Sequence, residues 1–224
     1  MQHNVQRKKI KSMNCKIVGY DFKSLEVLLE QGETFFCEKG AIVYHEDGIE
    51  KNVKVVDKGL TGLLKRKLSG ESVFLVELYN RANSPKKLLV SGKMGILPVD
   101  LSQFGGEIVC RTGYYIASKT NVDVDFSINL SSLISNSTLL LQKISGTGTV
   151  FLDSFGSSVC IDVKSGSSVY VDEKHFLCIN ARAINQLNST FSGKGFLAGE
   201  GLTMYHITGP ATVYVTTQQP FSRV

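Results

Sequence analysis

Nucleophilic catalysis needs a hydroxyl or thiol held beside a base. The chain carries four histidines, His3, His45, His175 and His206, far apart in sequence, and no G-x-S-x-G elbow to present a serine. No two histidines or cysteines fall at the spacing of a metal-ligand pair. The five cysteines, Cys15, Cys37, Cys110, Cys160 and Cys178, are odd in number and widely separated, a pattern that fits a reducing compartment rather than a disulfide framework. Cys37, Cys110, Cys160 and Cys178 alternate with apolar residues and read as core thiols. The glycine-dense stretch Gly193, Gly195, Gly199 and Gly201 leads into a strand and lacks the Gly-Lys-Ser/Thr ending of a phosphate loop, so it reads as a connecting loop. These residues assign no catalytic group, no metal site and no cofactor.

A sharper arrangement comes from internal repetition. Ile144-Ser145-Gly146-Thr147-Gly148-Thr149-Val150-Phe151-Leu152 recurs without a gap as Ile207-Thr208-Gly209-Pro210-Ala211-Thr212-Val213-Tyr214-Val215. Extended backwards, the match places Lys143 over His206, and a fainter copy from Gly70 to Leu78 places Glu77 at the same position. An acid, an amine and an imidazole at equivalent points of three repeats would form a polar cluster if the repeats converge, able to titrate unusually or bind a small polar ligand. A second block repeats as well: Cys37 to Val43 resembles Cys110 to Ile116 and then Val171 to Leu177.

The elements that must position these residues are strands. Twenty-one glycines, four prolines, no tryptophan and many β-branched and aromatic residues favour short strands joined by glycine turns. The expected fold is all-β, a sandwich or barrel of three related strand modules with approximate internal threefold repeat and short helical turns in the loops. Each copy of the first repeat reads as a hairpin turning at Ser145–Gly148 or Thr208–Ala211. A module of this size cannot bury both faces of its strands alone, so the three are expected to pack around a shared core. Residues 1–12 read as a flexible basic extension, and 13–224 as a single domain.

Composition narrows the function classes. Hydrophobic residues at 42% and charged residues at 20% are ordinary for a globular chain, and no apolar run is long enough for a membrane-spanning helix. The net charge of +5 comes mostly from the N-terminal segment. Leu60, Leu63 and Leu64 with Lys65, Arg66 and Lys67 make a short apolar and cationic stretch suited to a neighbouring subunit or an anionic membrane. Nucleic acid is not an expected partner, because the aromatics lie in alternating strand patterns rather than among exposed basic residues.

The segments Leu25-Glu26-Val27-Leu28-Leu29 with Gly32-Glu33, Leu64 to Leu75, Leu141 to Gly146, and Gly199 to Pro210 together resemble the altered-inheritance-of-mitochondria, or mitochondrial biogenesis, family. The resemblance covers most of the chain. It implies a β-sandwich of the kind grouped with the tryptophan RNA-binding attenuation protein, a symmetric homo-oligomer, a trimer among the options, and no catalytic residues to carry over. The expected function is therefore a non-enzymatic scaffold or interaction protein that binds itself and a further protein or membrane-associated partner. The alternatives are a nucleic-acid-binding β-protein, or a ligand carrier or enzyme with a site at the repeat axis. The expected compartment is the cytoplasm in a bacterium or the mitochondrion in a eukaryote.

Overall fold

The computed structural model describes residues 14–55, 74–125, 140–191 and 203–220. The basic extension and the leucine-lysine stretch Leu60, Leu63, Leu64, Lys65, Arg66 and Lys67 lie outside the described residues. Those that are described form nineteen strands. After an added edge strand, β1 (Cys15–Val18), they divide into three modules of six. The first holds β2 (Ser24–Leu29), β3 (Thr34–Glu38), β4 (Ile42–His45), β5 (Ile49–Val55), β6 (Phe74–Asn80) and β7 (Lys86–Ser91). The second holds β8 (Gly95–Asp100), β9 (Glu107–Arg111), β10 (Tyr115–Ser118), β11 (Asp123–Asp125), β12 (Leu141–Ser145) and β13 (Thr149–Ser154). The third holds β14 (Ser158–Val163), β15 (Ser168–Asp172), β16 (Phe176–Asn180), β17 (Leu187–Phe191), β18 (Thr203–Thr208) and β19 (Ala211–Thr216). Short 3-10 turns occupy Leu101–Phe104, Glu173–His175 and Ala181–Gln186.

The strand order shows how the modules are joined. Two six-stranded sheets run β5-β6-β3-β10-β13-β8 and β11-β12-β9-β16-β19-β14, the second repeating the first one module further along the chain. The next step of the same rule would give β17-β18-β15-β4-β7-β2. That sheet is present in two pieces, β15-β18-β17 and β1-β2-β7-β4. Each internal junction is an antiparallel pair in the same register: Cys37 opposite Ala117 and Phe36 opposite Ser118, then Cys110 opposite Cys178 and Val109 opposite Ile179. A bulge recurs at the same point of each module, between Ile42 and Tyr44, Tyr115 and Ala117, and Phe176 and Cys178. It adds a residue that re-aims the side chains around it.

Period-two alternation explains the packing. In β2, Leu25, Val27 and Leu29 turn inward while the residues between them are partly exposed. β9 is buried on both faces: Ile108 and Cys110 enter one hydrophobic cluster and Val109 enters the next. The core is not one mass around an axis. Among the described residues it comprises three clusters, each centred on one module and closed by residues of a neighbour, with Ile116, Ala117 and Phe151 of the second module completing the first cluster, and Leu177 and Cys178 of the third completing the second.

The expected hairpins at 145–148 and 208–211 are not hairpins. β12 and β13 belong to different sheets, as do β18 and β19, so each glycine turn carries the chain round a corner between the layers of a sandwich. Gly146 and Gly148 make the first corner with φ of +143° and +86°. A side chain at either φ would strain the backbone.

Candidate functional site

Glu77, Lys143 and His206 do occupy equivalent positions. They sit on β6, β12 and β18, opposite Phe36, Val109 and Tyr170, the middle residues of β3, β9 and β15. The equivalence places them in three separate sheets. Lys143 pairs with Glu107 through Nζ and Oε1 at 3.4 Å, and the His206 ring stacks on Tyr170 with centroids 4.6 Å apart. The remaining described histidines also have local tasks. His45 Nδ1 lies 3.0 Å from the Glu46 carbonyl, and His175 Nδ1 lies 2.6 Å from the carbonyl of Thr216.

The cysteines divide differently from the sequence reading. Cys37, Cys110 and Cys178 are buried, and burial pushes the Cys37 and Cys110 thiols up to about 12 and Cys178 well above the ordinary thiol range. Such thiols stay protonated and inert at neutral pH. Cys160 is exposed rather than part of the core, because β14 is the outermost strand of its sheet and presents a face to solvent there. Among the described residues, no group of three His, Cys, Asp or Glu side chains is placed to hold a metal ion.

A cleft of about 320 Å³ opens beside β19, lined by Asp162, Asn180, Arg182, Gln186 and Thr212 among others. Two of its polar groups, those of Asn180 and Asp162, are already engaged in structure. Asn180 Oδ1 accepts from the Thr212 N–H at 2.8 Å, Asp162 pairs with Lys164, and the Arg182 guanidinium lies over Gly105, where an added Cβ would come within 3.1 Å of it.

The unusual surface is at the two ends of the interrupted sheet. Among the described residues, β4 and β15 have no strand on their outer side. Val43 on β4 is 57% exposed, whereas its counterparts Ile116 and Leu177 are 2% and 0% exposed. Tyr44 is 43% exposed against 0% for Ala117 and 1% for Cys178. On the other lip Tyr170 is 62% exposed, while Phe36 and Val109 are 7% and 2% exposed at the equivalent points. Residues of the same apolar class are thus covered at two junctions and bare at the third. The sequence reading did not single out Val43, Tyr44 or Tyr170. Their signal was the second repeat block, which puts Val43 over Ile116 and Leu177, but alternation marks them as buried like the others.

A protein of Streptococcus pyogenes with a crystal structure resembles this fold with a TM-score of 0.66 and 22% sequence identity, covering 92% of this chain and 94% of its own. An uncharacterised protein of Streptococcus pyogenes serotype M6 is 24% identical over 163 residues, which is 69% of this chain and 64% of that relative's length. The family model described as Mitochondrial biogenesis AIM24 matches residues 15–218. With nearly the whole of the three-module sandwich inside that match, the chain belongs to the mitochondrial biogenesis AIM24 family.

Proposed function

We propose that this protein is a non-enzymatic interaction scaffold, a β platform that acts by binding proteins, its own copies among them. The observation that carries the reading is the pair of sheet edges, β4 and β15, that are unpaired among the described residues and lined by the exposed side chains of Val43, Tyr44 and Tyr170. An open strand edge is a row of backbone donors and acceptors that pairs readily with another chain, and natural proteins usually protect such edges. Apolar and aromatic side chains on an unprotected edge add the desolvation that makes such pairing stable.

Native mass spectrometry of the protein purified without added ligand tests the reading. Species containing two or more chains, or this chain with a retained protein, are the expected result. A bare monomer, or a monomer carrying only a discrete small-molecule mass, would overturn it, the latter in favour of a ligand carrier or enzyme.

A further inference from the structure

We infer that the broken junction is completed between copies: β4 of one chain pairs with β15 of another, head to tail. The inference rests on the scaffold reading and names its partner, its two strands and their register. Each module carries a plug and a socket. The plug of the second module, Ile116 and Ala117 on β10, is buried in the hydrophobic cluster of the first. The plug of the third, Leu177 and Cys178 on β16, is buried in the cluster of the second. The corresponding pair in the first module, Val43 and Tyr44 on β4, enters none of the three clusters among the described residues and stands exposed. The third module has the complementary feature, since β3 and β9 are each covered by the next module whereas, among the described residues, β15 ends its sheet with Tyr170 exposed.

Plug and socket lie on one chain and are the two halves of a contact that the chain makes twice internally. A second copy is therefore the occupant whose shape and register the structure already specifies. Carrying the internal register forward sets Tyr44 opposite Val171, His45 opposite Tyr170 and Glu46 opposite Val169, with Val43 entering the cluster that holds Val171, Phe176 and Tyr205. The interface is heterologous, so it propagates from copy to copy and closes as a ring or continues as a filament, according to the rotation between copies.

The pair Tyr44→Cys and Val171→Cys tests the register, because at the equivalent internal junction two cysteines, Cys110 and Cys178, already face each other. Cys160→Ser removes the exposed native thiol from the background. Mild oxidation with copper phenanthroline is expected to give a ladder of covalent multimers on a non-reducing gel for the double variant, and single-chain bands for each variant alone. A fast-migrating single-chain band from the double variant would mean that β4 and β15 close within one molecule, and would overturn the inference. Absence of any cross-link while native mass spectrometry still shows multimers would overturn it too, leaving the scaffold reading in place through another surface. A monomer by both methods would remove both. Val43→Lys, a change at an already exposed position, provides a second measurement: multimers are expected to collapse to single chains, with the monomer's circular dichroism unchanged. Multimers that persist in the well-folded variant would count against the β4 edge.

Discussion

At the scale of single residues, most groups that could do chemistry are spent on structure. Cys110 illustrates this: it is wholly buried, and its sulfur lies 3.5 Å from the amide nitrogen of Gln142. The expected outcome of iodoacetamide treatment of the native protein near pH 8 is modification of Cys160 with Cys37, Cys110 and Cys178 protected. Peptide mass spectrometry before and after denaturation checks it. The same thiols set a pH dependence. Their folded pKa values lie above the ordinary 9.0, so the stability they contribute is fully present below pH 9 and is lost as pH rises towards about 12. Urea midpoints are expected to fall between pH 9 and 11, and Cys110→Ala is expected to lessen the fall. Asn80 is a second such residue. It is fully buried, its amide donates to the carbonyls of Leu29 and Ser84 at 2.9 and 3.0 Å, and its Oδ1 accepts from the Ala82 N–H at 2.9 Å. Asn80→Ala removes all three hydrogen bonds, the one to the Leu29 carbonyl in a buried setting, a loss of about 2–4 kcal/mol by chemical denaturation.

At the scale of elements, the strands were legible and their allegiances were not. Leu25, Val27 and Leu29 announce β2 by alternation, and the recurrence of Cys37, Cys110 and Val171 marks three copies of one strand because packing requirements repeat with the module. Alternation gives the face of a strand but says nothing of which sheet it joins. That is why Ser145-Gly146-Thr147-Gly148 reads as a hairpin turn and is a corner between sheets, and why Glu77, Lys143 and His206 could be placed in register yet not in space. Cys160 fails for a related reason: its neighbours alternate like those of Cys178, but β14 is outermost and β16 is central. The sharing of strands between modules has an energetic consequence. Phe151 lies on β13 of the second module and is wholly buried in the cluster of the first. Phe151→Ala removes a large side chain from that boundary and is expected to cost about 3–5 kcal/mol, the range for truncating a buried phenylalanine. Because the residue ties two modules, a single unfolding transition in the wild type is expected to become broader or biphasic in the variant, as calorimetry would show.

At the scale of the whole molecule, the three modules resemble consecutive members of an array in which each interface is the same contact displaced by one unit. Arrays of this kind draw their stability from nearest-neighbour interfaces, and their terminal units normally carry a polar cap. Among the described residues, the two unpaired edges β4 and β15 bear Val43, Tyr44 and Tyr170, whereas a cap would place charged or polar groups there. Hydrogen exchange on the native protein at two concentrations reads out the difference. Amides of β3, β9, β10 and β16 lie at junctions completed within the chain, so their protection should not vary with concentration. Amides of residues 42–46 and 168–172 lie where the third junction would form between chains, and their protection is expected to rise together as concentration increases. Slow exchange in both segments at every concentration, with mass spectrometry showing one chain, would mean that the array caps itself. Fast exchange in both segments within a multimer would mean that copies meet through a surface other than these edges.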